Sequence, residues 1–448
     1  MKRTMPWKAF LSLLMPLVFL SSAYGISAEL EGKCMTCHKE KTPGIYLQWK
    51  NSEHSLHNVT CYSCHQASRG DKDGFMHEGA RIATMVTPKD CGVCHTREAD
   101  EFMQSYHAEA GKILESNDAY LAHVIGGDPA AVVGCASCHG AKVKLDNDSP
   151  NKLAVGSWPN SGIGRLNPDG SNGSCNACHV RHAFSREQVR RPETCGKCHL
   201  GPDHPQKEVY EESKHGIAYH TNISKMNLES EKWVVGEDYF AGPTCATCHA
   251  SATQNQRITH DYRDRISWTT RPKISYLLDG WEEKRANMQD VCRNCHGKVF
   301  YEGHYAQYDA LVHLYNVKFA EPAVEVMKIL RENNSLERTA SFSNDIEWIF
   351  WELWHHEGRR ARHGAAMMGP DYAWWHGIYE VGKHFYFDFI PAVEELGDDE
   401  ALAYIHELLE NDPMHNWMNR NTDALKDGIR SGELQKLYDD FYQAQLED

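Results

Sequence analysis

The chain is short of positive charge. Its 448 residues include 47 lysines and arginines against 62 aspartates and glutamates, which gives a formal net charge of −15. Such an excess of negative charge repels the phosphate backbone of nucleic acids, so we expect no nucleic-acid partner. The negative charge is compatible with a small substrate, or with a protein partner that has a basic face.

Long hydrophobic runs are absent after residue 25. Before that point the run FLSLLMPLVFL follows Lys2, Arg3 and Lys8, and the small residues SSAYG follow the run. This order is typical of a signal peptide, with cleavage after Gly25 or Ala28. The run is too short to span a bilayer comfortably. We therefore predict that residues 1–25 are a signal peptide and that the exported protein is soluble. An uncleaved N-terminal anchor is the alternative.

No cysteine is left outside one recurring unit. All 16 cysteines fall in eight copies of Cys-x-x-Cys-His, a regularity that argues against disulfide bonds or zinc sites. In this unit the two sulfurs form thioethers to a haem, and the adjacent histidine binds the iron as proximal ligand. The sequence thus predicts eight covalently attached c-type haems. Their attachment residues are Cys34, Cys37, Cys61, Cys64, Cys91, Cys94, Cys135, Cys138, Cys175, Cys178, Cys195, Cys198, Cys245, Cys248, Cys292 and Cys295, and their proximal ligands are His38, His65, His95, His139, His179, His199, His249 and His296.

The haem units end at His296, and no cysteine follows. We predict a mainly α, multihaem cytochrome c fold with a loop-rich, haem-packed domain at 26–305 and a helical C-terminal domain at 306–448. A compact domain of roughly 280 residues has a radius of gyration near 19 Å, which leaves eight haem centres about 20 Å apart on average. At that distance between centres, the haem edges lie close enough for electrons to tunnel between them. Packing alone therefore favours a chain of haems that carries several electrons.

The C-terminal region has helical spacing. In DIEWIFWELWHH, Ile346, Phe350 and Leu353 fall on one apolar stripe with Ile349. Further helices are predicted in DYAWWHGIYEVGKHFYFDFI, ending at Pro391, in DDEALAYIHELLEN, and near residues 423–445. We expect three to five helices here.

Nineteen of the 27 histidines remain after the eight proximal ligands. The candidates for distal ligands lie close to haem units and mostly beside small or polar residues, with two reserves at His57 and His220. The remaining tail histidines, at 355, 356, 363, 376, 384, 406 and 415, are predicted to be structural. The predicted distal ligands are His54, His77, His107, His123, His182, His215, His260 and His304.

The ordered set of motifs resembles the octahaem hydroxylamine oxidoreductase family from about residue 30 to about 390. The resemblance rests on eight Cys-x-x-Cys-His units without a Cys-x-x-Cys-Lys variant, on GSWPNSGIGRLNPDGSNGSCNACHVRHAFS, on CGKCHLGPDHPQKEVYEESKHG and on MMGPDYAWWHG. Octahaem nitrite and tetrathionate reductases typically carry the lysine variant at their catalytic haem, and this chain does not.

The resemblance implies a catalytic site. In the family the fourth haem has an open distal face, which corresponds to the unit of Cys135, Cys138 and His139, and an Asp-His pair beside it corresponds to Asp203 and His204. Such a pair would handle protons, although His204 as an ordinary haem ligand or a surface turn are alternatives. The loop 140–174 could shape access to this pocket. Tyr372 matches a tyrosine that, in oxidising members, is bonded to the catalytic porphyrin of a neighbouring subunit in a homotrimer; the alternative is a packing residue.

The predicted function follows from these expectations. Hydroxylamine would be oxidised to nitric oxide or nitrite at the open haem, and seven bis-histidine haems would carry the electrons in the periplasm to a redox partner such as a small cytochrome c or a quinone-linked cytochrome. Two alternatives stay open. The same site could reduce nitrite or hydroxylamine to ammonium, with hydrazine as a further substrate, or the chain could be a non-catalytic electron conduit.

Overall fold

The computed structural model describes residues 28–115 and 117–447. The predicted signal peptide at 1–25 lies outside these residues. Within the described part of the chain, no helix is both long enough and apolar enough to cross a membrane.

The first half of the chain consists of short helices joined by long loops. Two haem units form a helix of their own that begins with a capping box: Thr60, just before Cys61, pairs with Ser63, and Thr244, just before Cys245, pairs with Thr247. The α-helices of this half are Ala28–Lys41, Pro43–Lys50, Glu53–Leu56, Cys61–His65, Pro88–Gly92, Thr96–Gln104, Asn117–Val133, Cys135–His139, Arg186–Arg190, Pro192–Gly196, Gln206–Glu212, Lys214–Thr221, Cys245–His249 and Trp281–Cys292.

Strands are few in the described residues. Phe75–His77 pairs antiparallel with Ala80–Ile82, with Met76 opposite Arg81, and Trp268–Thr269 pairs antiparallel with Tyr276–Leu277. Short 3₁₀ helices supply further turns at Ala110–Glu115, Cys175–Ala177, Ile223–Lys225, Tyr262–Arg265 and Asn416–Asn419. The predicted mainly α fold is confirmed.

The second half is built from longer helices that contain π-helical turns. Pro322 and Pro391 each stand at the start of a helix that directly follows a π turn. A wider turn gives the proline ring room and absorbs the missing N–H, so the helix continues. The α-helices are Lys298–Tyr315, Glu321–Glu332, Asp345–Glu352, Gly358–Met367, Pro370–Ala373, Glu380–His384, Ile390–Leu396, Asp399–Asn411, Thr422–Ser431 and Glu433–Glu447, and the π turns are Asn316–Ala320, Leu353–Glu357, Trp374–Tyr379 and Phe385–Phe389.

Two helix predictions for this half are wrong in detail. The helical path through 371–390 does not end at Pro391 but runs on to Leu396, for the reason just given. The helical stretches from residue 298 onward also outnumber the three to five expected, since the segment near 423–445 is two helices separated by Gly432. Its φ of 79° ends the first of them.

The largest apolar core lies in the second half. Ile346, Phe350 and Leu353 are buried in it, as their helical stripe predicts, together with Phe385 and Phe389. The haem-unit region has smaller clusters, such as the stacked rings of Trp233 and Tyr239. This difference is consistent with porphyrins completing the core of the first half.

The two halves are joined without a break in secondary structure. The predicted boundary at 305/306 falls inside the helix Lys298–Tyr315, and the domain division stays a prediction. The helix Gln206–Glu212 of the first half contacts Gly358–Met367 and Pro370–Ala373 of the second. The C-terminal helices therefore reach the turn that carries Asp203 and His204.

Candidate haem ligands and the Asp203–His204 site

Three motif histidines have their Nδ1 atom held by a protein acceptor. Nδ1 of His65 lies 2.9 Å from the carbonyl oxygen of Ala83, and Nδ1 of His38 lies 2.8 Å from Oγ1 of Thr42. Nδ1 of His199 lies 3.3 Å from Oε1 of Gln206. Ligating histidines commonly use one ring nitrogen for the metal and donate the other to such an acceptor. The arrangement leaves Nε2 of each ring for an iron.

Six motif histidines face a second histidine at a nearly constant spacing. Two metal–imidazole bonds of about 2 Å each place ring centres roughly 6.3 Å apart when the rings lie on opposite sides of one metal. The observed centre-to-centre distances run from 6.0 to 6.3 Å. The pairs are His38 with His77, His54 with His95, His65 with His182, His107 with His199, His179 with His260, and His215 with His296. The residues present therefore fit six bis-histidine haems.

Six of the eight predicted distal histidines belong to these pairs. The other two are placed differently: Nδ1 of His123 lies 3.7 Å from Asp128, and the ring of His304 stacks beside Tyr308 at 6.4 Å. The reserve candidates lie next to carboxylates, His220 2.6 Å from Glu211 and His57 3.7 Å from Glu53. The motif histidines outside the six pairs are His139 and His249.

Cysteines of different haem units lie next to one another. Their side chains interact between the third and fifth units, the fourth and sixth, the sixth and seventh, and the seventh and eighth. The neighbouring cysteines are Cys91 and Cys175, Cys138 and Cys198, Cys195 and Cys245, and Cys248 and Cys292. Since each cysteine anchors the edge of a porphyrin, adjacent anchors bring haem edges together, which is what an electron wire requires.

The pair Asp203 and His204 stands in the turn between the sixth unit and the helix Gln206–Glu212. Nδ1 of His204 lies 3.3 Å from Oδ1 of Asp203, and both side chains are partly buried. The ring centre of His204 lies 6.1 Å from that of His199. The carboxylate can therefore orient the imidazole, with Nε2 left for a substrate proton.

The C-terminal half closes around this pair. Nη1 of Arg359 donates to Oδ2 of Asp203 over 3.3 Å and to Nε2 of His355 over 3.0 Å. Because an arginine can only donate, Nε2 of His355 accepts in this contact. His355 is buried, with its ring stacked on Trp351 at 4.2 Å. Two helical turns of the tail thus supply a cation and a histidine to the acid–histidine pair.

A second tail histidine lies behind the sixth unit. Nε2 of His363 lies 3.0 Å from Oγ1 of Thr270 and 3.4 Å from Nε2 of Gln206. Burial, with the positive charges of Arg362 and Arg359, holds the pKa of His363 well below its usual range. The ring is therefore neutral and can accept a hydrogen bond.

The loop 140–174 is tied to the fourth unit. The backbone N–H of Ile163 donates to the carbonyl of Cys138 over 2.9 Å, and that of Gly164 donates to the carbonyl of His139 over 3.0 Å. Arg165, fully buried, donates to the carbonyl of Val86 over 2.7 Å and to Oδ1 of Asn167 over 2.6 Å. The loop therefore forms a fixed wall next to the motif helix Cys135–His139.

Tyr372 lies at the far end of the helix that His204 precedes. Its backbone N–H donates to Oε1 of Glu212 over 3.3 Å. The side chain lines an open groove of about 440 Å³ with Gly196, Leu200, Lys207 and the glutamates of that helix. Burial and the charge of Glu208 raise the pKa of Tyr372. A helix of seven residues is roughly 10 Å long, so Tyr372 and His204 occupy opposite ends of one short element.

Four residues that the sequence did not single out shape the site: Gln206, His355, Arg359 and His363. His355 and His363 were predicted to be structural because they lie far from any haem unit in sequence. The one available signal was the run HHEGRRARH at 355–363, which is unusually rich in cations for a segment of a buried helix.

Comparison with known proteins also indicates a multihaem cytochrome. Residues 169–340 match a family model described as "Seven times multi-haem cytochrome CxxCH". The chain is 29% identical over 252 residues to a "Probable nitrite reductase-hydroxylamine oxidoreductase fusion protein" of Kuenenia stuttgartiensis, a match that spans 50% of this chain and 26% of that protein. A solved "Hypothetical multiheme protein" has a TM-score of 0.69 at 25% identity and covers 86% of this chain and 97% of its own.

A second solved structure has the same fold. It is the "reducing HAO-like protein complex" of Kuenenia stuttgartiensis, with a TM-score of 0.60 at 21% identity over 85% of this chain and 87% of that one. The chain is similar to hydroxylamine-oxidoreductase-like multihaem cytochromes in sequence, and it has the mainly α fold of multihaem proteins. It carries covalently bound c-type haems and has a redox or electron-conduit role. It spans about a quarter of the length of the curated fusion protein that it matches.

Proposed function

We propose that this multihaem cytochrome is an octahaem oxidoreductase that oxidises hydroxylamine to nitric oxide or nitrite in the periplasm. The observation that carries the proposal is the Asp203–His204 pair, held 3.3 Å apart in the turn after the sixth haem unit. The fourth unit lies next to this place, because Cys138 and Cys198 are neighbours. A haem held by Cys135 and Cys138 would supply an iron that binds the substrate nitrogen and accepts its electrons.

The chain's own residues handle the protons. Oxidation of hydroxylamine to nitric oxide releases three protons with three electrons, and oxidation to nitrite takes up one water and releases five protons with four electrons. His204 accepts a proton at Nε2 while Asp203 stabilises the charged ring through Nδ1. Arg359 keeps a donor on the second oxygen of Asp203, so the carboxylate stays oriented toward the histidine.

His107 fits the role of second axial ligand opposite His199 better than His204 does. The ring centres of both lie at about the same distance from that of His199. Gln206 contacts Nδ1 of His199, and His204 is joined to the same turn because the backbone N–H of Gln206 donates to its carbonyl over 2.8 Å. An iron would bind Nε2 of His199, because Nδ1 is held by Gln206. This assignment leaves His204 for substrate, and we infer the six pairs to be six bis-histidine haems.

The reverse reaction is the second candidate, with nitrite or hydroxylamine reduced toward ammonium and hydrazine as a further substrate. Arg359 places positive charge next to Asp203, which suits an anion such as nitrite. The names of two relatives, a nitrite reductase fusion and a reducing HAO-like complex, support it. A non-catalytic electron conduit is the third candidate function. For all three candidates, the redox partner would be a small cytochrome c or a quinone-linked cytochrome.

Carbon monoxide separates the enzyme from the conduit. An open ferrous haem binds carbon monoxide, whereas a haem with two histidines does not, so the reduced protein should show a spectral change that corresponds to one haem in eight. Absence of any change would contradict an open catalytic haem. We further propose a homotrimer in which Tyr372 is bonded to a catalytic porphyrin of the neighbouring subunit.

A further inference from the structure

The sixth haem unit differs from the first two in how its histidine is held. His38 uses a threonine one helical turn away, and His65 uses a backbone carbonyl. His199 instead uses the side chain of Gln206, and the same amide continues to His363 in the C-terminal half, 157 residues further along the chain. The contact therefore links an iron ligand of the first half to the helix Gly358–Met367.

Hydrogen-bonding chemistry fixes the direction of each contact. With an iron on Nε2, His199 carries its proton on Nδ1 and donates it to Oε1 of Gln206. The amide nitrogen of Gln206 can only donate, so Nε2 of His363 accepts. His363 is neutral, as its burial requires, and Oγ1 of Thr270 lies 3.0 Å from the same nitrogen. Each of the three contacts thus joins a donor to an acceptor, and the proton of the neutral His363 ring lies on Nδ1, a buried atom without a hydrogen-bond partner among the described residues.

We propose that Gln206 and His363 are positioning residues that set the reduction potential of the haem on Cys195 and Cys198. A histidine that donates from Nδ1 to a good acceptor becomes a stronger electron donor to the iron, which favours the ferric state. His363 polarises the Gln206 amide and so strengthens this acceptor. Because Cys198 neighbours Cys138 of the fourth unit, this haem is next in line for electrons entering or leaving the proposed catalytic haem.

The proposal does not depend on the direction or the existence of catalysis, because its measurement is a potential. In a spectroelectrochemical titration of the intact protein, Gln206→Leu should raise one midpoint potential. The expected size is on the order of a tenfold change in that haem's reduction constant, or about 59 mV for one electron. Gln206→Glu, which keeps the shape and gives a charged acceptor, should lower the same midpoint.

The helical tail is tested separately. His363→Leu should raise the same midpoint as Gln206→Leu, by a smaller amount, because Oε1 of Gln206 remains but loses its polarising partner. A matched control is Thr42→Val, which removes the acceptor of His38 and should move a different midpoint. In the double variant Gln206→Leu with Thr42→Val, both shifts should add.

Three results would overturn the proposal. Unchanged midpoints in Gln206→Leu with all haems retained would show that the contact does not reach the iron. Shifts of the same sign in Gln206→Leu and Gln206→Glu would show a packing effect in place of hydrogen bonding. A shift of the midpoint potential in the Gln206 variants with no shift in His363→Leu would show that His363 does not influence this haem. Failure of hydroxylamine turnover affects none of these readouts.

Discussion

Nη1 of Arg359 lies 3.3 Å from Oδ2 of Asp203, and Oδ1 of the same carboxylate lies 3.3 Å from Nδ1 of His204. The carboxylate therefore stands between a permanent cation and a histidine, and its charge is shared by both. Arg359 is itself fixed by donating to the carbonyl of Arg271 over 2.7 Å and by packing over Trp354.

Arg359→Gln should lower turnover of hydroxylamine by roughly tenfold to a hundredfold, the usual size for loss of a hydrogen bond to a charged group. Without the arginine, Asp203 loses the donor on Oδ2 and is less firmly oriented toward His204. Steady-state turnover is the measurement. Arg359→Lys, which keeps a cation beside Asp203, should restore most of the rate, and an unchanged rate in Arg359→Gln would contradict the arrangement.

His204→Ala and Asp203→Asn should keep every haem and lower turnover by about two to four orders of magnitude, because proton transfer by a positioned side chain contributes that much. Haem content and steady-state rate are the measurements. His220→Ala, at a histidine paired with Glu211 on the surface, is the control and should leave the rate unchanged. Loss of a low-spin haem signal in His204→Ala would identify His204 as a structural ligand, and unchanged turnover would identify it as a bystander.

His107→Ala should convert one low-spin haem to a five-coordinate form that binds carbon monoxide in the reduced state. The reason is that His107 faces His199 at 6.0 Å, the spacing of two ligands on one metal. The matched control is His123→Ala, which removes a half-exposed histidine next to Asp128 and should leave the spectrum unchanged. If His123→Ala gave the new carbon monoxide band instead, the axial assignment would be wrong and His123 would be a ligand.

Stability should depend on pH through His384. Its ring lies 3.4 Å from Glu357, and that carboxylate, with Asp388, raises the pKa of His384 above its usual value. A raised pKa in the folded state stabilises the protein below the unfolded value of about 6.5, and the contribution is lost as pH rises through the folded pKa. The melting temperature of His384→Gln should therefore fall below that of the wild type near pH 5.5 and approach it at pH 9. Equal deficits at both pH values would point to packing.

The sequence predicts the parts of this molecule that are set by local chemistry. The haem units are continuous in the chain, and the stripe of Ile346, Phe350 and Leu353 follows from helical period alone, so both could be identified without a structure. Six of the predicted distal histidines lie opposite a motif histidine in the structure, and each is also close in sequence to a haem unit. Which motif histidine each one faces was not predictable, because the two rings can be far apart in sequence, as for His65 and His182.

The parts that escaped prediction depend on contacts between the two halves. Arg359 and His363 lie more than 150 residues from Asp203 and Gln206, and no local pattern links them. Pro391 was expected to end a helix because proline removes a donor, but the π turn Phe385–Phe389 absorbs the defect. Such turns follow from tertiary packing and recur where the tail meets Asp203, at Leu353–Glu357.

We propose that the direction of the reaction depends on whether Tyr372 is bonded to a porphyrin. If its ring is bonded to a porphyrin of the neighbouring chain, the purified protein should run as cross-linked oligomers, in the main trimers, on a denaturing gel, and the reduced spectrum should carry a red-shifted band from one distorted haem. Tyr372→Phe should abolish both features and shift activity from hydroxylamine oxidation toward nitrite reduction, because ring attachment breaks the planarity and conjugation that make an ordinary haem easy to reduce.

Tyr379→Phe is the matched control for Tyr372→Phe, since Tyr379 is a half-exposed tyrosine on the adjacent turn and should leave the gel and the spectrum unchanged. In the structure Tyr372 lines a groove beside Gly196 and Leu200 of the sixth unit, and Trp374 and Trp375 are exposed next to it. The two exposed indole rings are apolar area that a subunit contact would bury. A monomer on the denaturing gel with an ordinary c-type spectrum would make Tyr372 a packing residue. Reduction of nitrite or hydroxylamine would then be the leading function, because a planar haem with an ordinary axial histidine is easily reduced.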